Sequence, residues 1–286
     1  MCRLIMIIGK HELVSNVYNE LLNGIIKAAK RDQYGAKLFS RKDFCHKDGW
    51  GIVRIVLDDK NISVFHYKSL KPIYKDPIAI NQYISYKNNY SGDSLIIDFI
   101  HARAASRGTR LNILSTQPIN AVTRLGDSLY LIHNGSVNKQ QLLNELSIPN
   151  KSEHAKEGSD SYFLAQYIAQ NISDTLNLNH IRMVKSYVDT ALNLGVIHLK
   201  NQCAYVVMGS YFKVRREKAE ECRNYYKLYK YFDDRGLIIF SSSTIIDFPE
   251  YRPKLLYNWE KVDNGKFELY KVDFRDGIFM LDKGII

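Results

Sequence analysis

The order of the predicted strands and helices along this chain is the feature that most restricts its fold. Strand-like apolar runs come first, helical periodicity fills the middle, and strand-like runs return towards the end of the 286 residues. This order lacks the regular strand–helix alternation of a doubly wound parallel sheet. The strands are predicted at residues 4–8, 49–57, 61–67, 95–103, 128–132, 203–208, 225–232, 237–241, 254–259 and 267–274, and the helices at residues 12–30, 138–146, 160–171 and 180–194.

Local signals between these elements are consistent with one domain. Ser159 is predicted to cap the helix that starts at residue 160, and Gly195 is predicted to end the helix over 180–194. Asn264-Gly265 predicts a tight turn between the last two strands. The sequence has no linker, internal repeat or low-complexity stretch, so a single domain is predicted over residues 1–286.

A cysteine at position 2 offers a nucleophile at the very start of the chain. Cysteine is small enough for an initiator methionine before it to be removed, which would leave Cys2 with a thiol and a free α-amine. The amine titrates at about 7.7–8.0 and the thiol near 8.5, so one residue can hold a nucleophile and its base near neutral pH. The alternative is that Cys2 has no chemical role.

Further polar motifs lie where predicted strands or helices begin or end. They are His46-Lys47-Asp48-Gly49-Trp50-Gly51 at the entry to a strand, His101-Ala102-Arg103-Ala104 at the end of a strand, His133-Asn134-Gly135 directly after a strand, and Ser159-Asp160-Ser161 at the start of a helix. Loops and element ends are where functional side chains concentrate, so these motifs are candidates for one site.

The residue types in these motifs are those that acyl transfer requires. A thiol nucleophile needs hydrogen-bond donors aimed at the oxyanion it creates, and Asn134 and Gly135 can supply a side-chain amide and an unobstructed backbone N–H. Arg103 carries a planar fork suited to a carboxylate, and Asp160 can meet an ammonium group. Together they describe the handling of an α-amino acid with a side-chain amide, a description that glutamine satisfies.

In this order, the motifs resemble the class II glutamine amidotransferase domain, a member of the N-terminal nucleophile hydrolases. The resemblance covers residues 2–161 and implies an α+β fold, a four-layer αββα sandwich. It also implies that Cys2 attacks the glutamine carboxamide, that a γ-glutamyl thioester forms, and that water then releases glutamate. In that scheme Asn134 and Gly135 form the oxyanion hole, Arg103 holds the α-carboxylate and Asp160 holds the α-amine.

The chain departs from this family at two positions near the expected site. It begins Cys2-Arg3-Leu4, where many members begin Cys-Gly, and this start resembles the free-standing amidohydrolase branch, whose subunits include some that act on glutathione or other γ-glutamyl amides. Ala104 stands where many relatives have an aromatic residue. Hydrolysis of a γ-glutamyl amide other than glutamine is therefore the first alternative, and a non-catalytic regulatory subunit is the second. Productive use of ammonia would require an ammonia-accepting synthase subunit as partner.

His101 and His133 each precede a residue of the predicted site. We expect them to orient their neighbours through hydrogen bonds, because the α-amine of Cys2 already supplies a base. No closely spaced pair of ligands predicts a metal site, and no cofactor is predicted.

Composition limits the classes of partner and the cellular compartment that are expected for this protein. The net charge is +10, but the densest charged run, residues 213–223, mixes both signs, so no nucleic-acid partner is predicted. The four cysteines form no C-x-x-C pair, which favours a reduced, cytoplasmic protein. The apolar run at residues 4–8 is too short for a signal segment or a membrane span, so no membrane association is predicted.

Overall fold

Two antiparallel β-sheets stand at the centre of the computed structural model, which describes residues 2–59, 61–87, 90–106, 108–147 and 151–286. In spatial order, the described strands of the first sheet, called the Cys2 sheet, are β11 (Glu260–Lys261), β9 (Leu228–Phe232), β10 (Ile238–Ser242), β1 (Cys2–Lys10), β4 (Leu95–Arg103), β2 (Trp50–Leu57) and β3 (Ile62–Ser69). Those of the second, the Asn134 sheet, are β13 (Gly277–Ile285), β12 (Lys266–Asp273), β8 (Cys203–Gly209), β7 (Val188–Lys200), β6 (Ser128–Val137) and β5 (Ile119–Val122).

Helices cover the outer face of each sheet. Those that pack on the Cys2 sheet are α1 (His11–Lys30), α3 (Pro77–Lys87) and α9 (Ser243–Asp247), while α2 (Gln33–Leu38) and α8 (Ala219–Tyr226) pack on each other nearby. Those on the side of the Asn134 sheet are α4 (Lys139–Glu145), α5 (Lys151–Glu157), α6 (Asp160–Asn171) and α7 (Leu178–Val184). Among the described residues, no helix combines the length and hydropathy needed to cross a bilayer.

The alternation of side chains along β1 explains how the layers hold together. Leu4, Met6 and Ile8 belong to the apolar core between the two sheets, whereas Ile5 and Ile7 belong to the core under the helices of the Cys2 sheet. A strand covered on both faces is expected to be a continuous apolar run, as residues 4–8 are. Helices, two sheets and helices thus form the four layers of the predicted αββα sandwich, which is confirmed.

Several predicted elements agree closely with the structure. The strand predicted over 95–103 is β4, and the helix predicted over 160–171 is α6. Ser159 caps that helix, since its side chain accepts a hydrogen bond from the Tyr162 amide at 3.3 Å. The pair of strands predicted at 49–57 and 61–67 is the antiparallel pair β2–β3.

The helix predicted over residues 180–194 is correct only up to Val184 and wrong beyond it. Helix α7 ends at Val184, and β7 begins at Val188 and runs between β6 and β8. Gly195 ends no helix; it lies within β7, where a Cβ atom would come within 2.5 Å of the Met6 sulfur on the facing sheet. Pairing on both edges of β7 and close contact between the sheets outweigh the local helical spacing.

Further differences occur in both halves of the chain: α2, α3 and β5 in the first half were not predicted, and the second half differs as follows. The first two residues of the strand predicted over 225–232 form the end of α8, so β9 begins only at Leu228. The strand predicted over 254–259 is irregular up to the short β11. The Asn264-Gly265 turn is present, but it joins β11 and β12, which belong to different sheets. Strand β13 at the edge of the Asn134 sheet was not predicted.

Candidate active site

Cys2 is the first residue of β1 and lies where the ends of the two sheets meet. It is 5% exposed and pairs across the strands with Arg103, the last residue of β4. Its backbone nitrogen donates a hydrogen bond to Asn134 Oδ1 of the other sheet at 2.7 Å. One hydrogen bond therefore joins the predicted nucleophile to the predicted oxyanion donor, although the two residues are 132 positions apart in the chain.

The orientation of the Asn134 amide follows from this contact. The Cys2 nitrogen is a donor, so the Asn134 atom that meets it must be the oxygen. The other end of the amide, Nδ2, is buried and has no hydrogen-bond partner among the described residues. A buried donor beside a thiol and without a protein partner is free to bind an oxyanion.

Gly135 occupies a position where only glycine fits. Strand β6 continues to Val137, so the His133-Asn134-Gly135 motif lies within the strand and does not follow it, contrary to the prediction. A bulge falls between Gly135 and Val137, and a Cβ atom on Gly135 would come within 1.9 Å of the Ala191 carbonyl oxygen. The neighbouring strands pack so closely here that no side chain fits at position 135, and the Gly135 backbone N–H is not obstructed by one.

The surroundings of Cys2 favour a thiolate. Burial by itself raises the pKa of the thiol, but the charge of His101 and other nearby groups lower it well below its ordinary value. His101 is itself fully buried, and neither of its ring nitrogens has a hydrogen-bond partner among the described residues. The thiol is a neighbour on which this imidazole acts, through charge and through a side-chain interaction.

His133 is held firmly by its neighbours. Its Nδ1 lies 3.0 Å from the Ser161 hydroxyl, and its Nε2 lies 3.0 Å from the Ala191 carbonyl oxygen. Burial lowers the pKa of His133, so the ring is neutral and donates from Nε2 to the carbonyl. Gln117 donates to the same Ser161 hydroxyl at 3.0 Å and accepts from the His133 amide. Gln117 and Ser161 had no assigned role in the sequence, because only their contact with His133 reveals one.

Arg103 ends β4 with a guanidinium that is largely without partners. The residue is 4% exposed, its Nη2 donates to the Arg110 carbonyl oxygen at a long 3.4 Å, and its Nη1 is buried with no partner among the described residues. Burial lowers the pKa of Arg103, while the negative charges of Cys2, Asp48 and Asp160 act in the opposite direction. A buried cation with a free edge is suited to a carboxylate ligand.

Asp160 begins helix α6 and is held by backbone amides. Its Oδ1 accepts from the Ser161 amide at 2.8 Å and its Oδ2 from the Val137 amide at 3.2 Å. The electrostatic interactions of Asp160 with Arg103 and with His133 place the three residues in one neighbourhood. The carboxylate is half-buried, so it can still meet a cationic ligand.

Three cavities lie near this group of residues, and Asp160 lines the first of them. The Asp160 cavity, of about 360 Å³, is lined by Asp160, Ser136, Lys139, Arg110 and Ser106 among others. The Ala104 cavity, of about 260 Å³, is lined by Ser106, Ala104, Ala105, Asp48, Phe39, Phe44, Arg41, Lys47 and Cys45. The Thr190 cavity, of about 310 Å³, is lined by Phe39, Thr190, Lys213, Arg215, Lys218 and Cys222 among others. Ser106 and Phe39 are shared between neighbouring cavities, so the three follow one another past the site.

The structure thus brings all seven predicted site residues to one end of the two sheets. Cys2, His101 and Arg103 come from the Cys2 sheet, and His133, Asn134 and Gly135 come from the Asn134 sheet. Asp160 comes from the helix packed on the second sheet. Across the residues that the structure describes, no cluster of three or more histidine, cysteine or acidic side chains could hold a metal ion.

Comparison with known proteins supports the fold. No protein-family model and no curated protein matches the sequence. The allosteric regulatory enzyme of purine biosynthesis matches 99% of this chain at 16% identity with a TM-score of 0.57. Glutamine phosphoribosylpyrophosphate amidotransferase from B. subtilis, complexed with ADP and GMP, matches 99% of it at 15% identity with a TM-score of 0.54. The chain spans 48% and 49% of those two proteins, about half of their length. At this identity the likeness is one of fold, and it agrees with the fold that the motifs predict.

Proposed function

We propose that this protein is a glutamine amidotransferase of the N-terminal nucleophile type, which hydrolyses the side-chain amide of glutamine to glutamate and ammonia. The observation that carries the proposal is the contact between the Cys2 nitrogen and Asn134 Oδ1. It brings the Cys2 thiol and the Cys2 nitrogen close to Asn134 Nδ2, a buried donor without a partner among the described residues. Removal of Met1 would turn the Cys2 nitrogen into an α-amine that can accept a proton.

The first half of the proposed reaction forms a thioester. The α-amine takes the proton of the Cys2 thiol, and Sγ bonds to the carboxamide carbon of glutamine. The oxyanion that develops binds Asn134 Nδ2 and the Gly135 backbone N–H. The α-ammonium then returns the proton to the leaving nitrogen, the C–N bond breaks, and ammonia departs.

The second half reverses the same proton path with water. The α-amine takes a proton from a water molecule, whose oxygen bonds to the thioester carbon. The same two donors bind the second oxyanion, and the C–S bond then breaks. The thiolate regains its proton, glutamate leaves, and Cys2 is ready for another cycle.

Recognition of the substrate is proposed for the two charged residues beside the nucleophile. Arg103, with its free Nη1, would bind the α-carboxylate, and Asp160 would bind the α-ammonium in the cavity that it lines. If the ammonia is used productively, an acceptor synthase must collect it. An ammonia-accepting synthase subunit is the partner proposed for this step. A reduced thiol is required throughout, and the cytoplasm is the compartment proposed.

The direct test measures glutamate released from glutamine by the purified protein, with its N-terminus checked by mass. A parallel reaction with a glutamine-like electrophile should add one label, on the peptide that begins with Cys2. Absence of glutamate release together with absence of labelling would contradict the proposal. Labelling of Cys2 without turnover would instead favour the non-catalytic regulatory subunit.

A second candidate, hydrolysis of a γ-glutamyl amide with a larger amine, is favoured by the Ala104 cavity and the neighbouring Thr190 cavity. With the amino-acid head at Arg103 and Asp160, we place the leaving nitrogen towards the Ala104 cavity, because the Ala104 backbone interacts with the Cys2 thiol and the small Ala104 and Ala105 leave room. Cations outnumber carboxylates in both cavities: Arg41 and Lys47 accompany Asp48 in the Ala104 cavity. Lys213, Arg215 and Lys218 accompany Glu217 in the Thr190 cavity. An amine that carries a carboxylate would complement these cations.

A substrate panel separates the two candidates. We expect a γ-glutamyl dipeptide, with its terminal carboxylate, to exceed glutamine in kcat/KM if the second candidate is correct, and to be poorer if the first is. Ala105→Phe should fill the cavity and lower the activity on the dipeptide more than that on glutamine. Equal effects of this variant on both substrates would contradict a role for the cavity in binding the leaving amine.

A further inference from the structure

The residue next to the nucleophile carries a buried charge on the other face of β1. Arg3 is fully buried and donates from Nε to Asp32 Oδ2 at 2.6 Å and from Nη2 to Asp32 Oδ1 at 3.0 Å. Its Nη1 donates to the Tyr225 carbonyl oxygen at 2.9 Å, and its guanidinium lies 3.9 Å from the centre of the Tyr225 ring. Arg3 is therefore held by a two-point ion pair, a backbone acceptor and an aromatic face.

Asp32 collects hydrogen bonds from separate parts of the chain. Besides Arg3, it accepts from the Thr244 hydroxyl at 2.9 Å, from the Gly35 amide at 2.9 Å and from His46 Nε2 at 2.7 Å. Burial by itself raises the pKa of Asp32, but the charge of Arg3 and the hydrogen bonds from His46 and Arg3 together outweigh it. The pKa lies below its ordinary value, so the carboxylate is charged. Burial lowers the pKa of His46, so the ring is neutral and donates to Asp32 from Nε2.

We propose that Arg3, Asp32 and His46 form a positioning network that fixes the chain end carrying the nucleophile. The proposal rests on the proposed function, because removal of Met1 would make Cys2 a chain terminus. Termini are poorly ordered unless they are tied down, and a nucleophile must be held within about 0.5 Å of its productive place. The first side chain after Cys2 is tied to the loop between α1 and α2, to the end of α8 and, through Asp32, to His46 and α9.

The same sheet provides a matched control for this network. Arg54 of β2 forms a second buried two-point ion pair, with Asp98 of β4, and its guanidinium also lies over aromatic rings, those of Tyr18 and Tyr83. This pair lies within the strands, five residues before the end of β4 at Arg103. A role limited to stability predicts the same consequences for both pairs, whereas positioning of Cys2 is expected only of Arg3.

The first experiment compares Arg3→Lys with Arg54→Lys. Each substitution keeps a positive charge and removes the fork, so both should lower Tm. At a temperature where both variants are folded, Arg3→Lys should lower kcat for glutamine by about 10-fold to 100-fold with little change in KM, since a displacement near 1 Å can cost 10²-fold. Arg54→Lys should leave kcat within about twofold of the parent, and equal losses of kcat in the two variants would overturn the proposal.

A second pair of variants keeps the test decisive if Arg3→Lys does not fold. His46→Gln retains an N–H donor that can reach Asp32, whereas His46→Leu does not. His46→Gln should therefore keep most of the parent kcat, and His46→Leu should lose about tenfold or more, with KM little changed. If the two His46 variants lose kcat equally, or if neither loses it, the network does not position Cys2.

The rate of Cys2 alkylation separates this proposal from the proposed function. If the parent releases no glutamate from any substrate, the proposed function fails, but the alkylation of Cys2 by a glutamine-like electrophile still measures how well the thiol is placed. Arg3→Lys should then slow alkylation by about tenfold relative to Arg54→Lys. If both variants are alkylated at the parent rate, positioning by the network is overturned.

Discussion

The two sheets contribute to the site in opposite ways. The groups from the Asn134 sheet and its helix have partners inside the protein: His133 is bonded through both nitrogens, and Asp160 accepts from two backbone amides. Several atoms from the Cys2 sheet lack such partners: both nitrogens of His101 and Nη1 of Arg103 are buried without a hydrogen bond among the described residues. The exception on the Asn134 side is Asn134 Nδ2.

This difference indicates where a ligand is expected. A buried donor without a partner costs about 1–3 kcal/mol, so such groups persist mainly where a ligand or a reacting atom uses them. The groups of the Asn134 sheet, whose hydrogen bonds are made inside the protein, form a frame that holds the site. The unpartnered groups of the Cys2 sheet, together with Asn134 Nδ2, are those expected to bind the substrate and to react. His101 and His133 have the same place in their motifs and fall on opposite sides of this division.

The largest expected effect comes from the nucleophile of the Cys2 sheet. Cys2→Ser should lower kcat by about 10³-fold or more, since a serine hydroxyl is a far weaker acid than the thiol that it replaces. Retention of Met1 should be as damaging, because the Cys2 nitrogen would then be an amide. Cys203→Ser, in a cysteine that lines none of the three cavities, is the control. Normal turnover in a Met1-retaining protein, confirmed by mass, would assign the base to another group.

Removal of the unpartnered Asn134 donor should have the next largest effect. Asn134→Ala deletes Nδ2 together with the acceptor of the Cys2 nitrogen, and loss of one oxyanion donor typically lowers kcat by about 10²–10³-fold. Steady-state kinetics with glutamine measures the change. If only KM changed, Asn134 would not bind the oxyanion, and it would belong with His133 and Asp160 among the groups that hold the site in place.

Substitution of Arg103 or Asp160, the proposed ligands of the α-carboxylate and the α-ammonium, should have the third largest effect. Arg103→Lys removes the fork, and Asp160→Asn removes the charge while keeping the shape. Hydrogen bonds to charged groups are worth about 1.5–3 kcal/mol, so each variant should lose about one to two orders of magnitude in kcat/KM. The Arg103 effect should shrink for an analogue without the α-carboxylate, and the Asp160 effect for one without the α-amine. Unchanged kinetics in both variants would exclude an α-amino-acid substrate.

His101→Gln tests the charge on the Cys2 side. His101 lowers the pKa of the Cys2 thiol, so its replacement should raise that pKa and move the alkylation profile of Cys2 to higher pH. The rate of alkylation near pH 7 should fall as a result, because less thiolate is present. His133→Gln serves as the comparison, and an equal displacement of the profile in that variant would remove the distinction between the two histidines.

The smallest expected effect concerns the stability of the frame. Burial lowers the pKa of His133 in the folded protein below its unfolded value of about 6.5. The unfolded chain therefore binds more protons below pH 6.5, and the contribution of His133 to stability is complete above this pH and declines as the pH falls. The Tm of the parent should decrease more between pH 7 and pH 5 than that of His133→Gln. Parallel Tm curves would show that His133 is not held neutral.

Local patterns in the sequence determined the candidate residues and much of the first half of the fold. The uninterrupted apolar run after Cys2 and the alternating and helical periodicities correctly predicted β1, β4 and α6, because side-chain spacing depends only on neighbouring residues. The motifs at the ends of predicted strands and helices identified Cys2, Arg103, Asn134 and Asp160 as candidates from residue type and order alone.

The contacts between residues far apart in the chain were decided by the tertiary structure alone. Residues 188–194 became part of β7 because strands lie on both of its edges, and Gly195 became a point of close contact between sheets. The bond between Cys2 and Asn134 spans 132 positions, and the one between Arg3 and Asp32 spans 29. The packing of whole layers sets such contacts, which depend on residues far apart in the chain and leave no periodic signal in it.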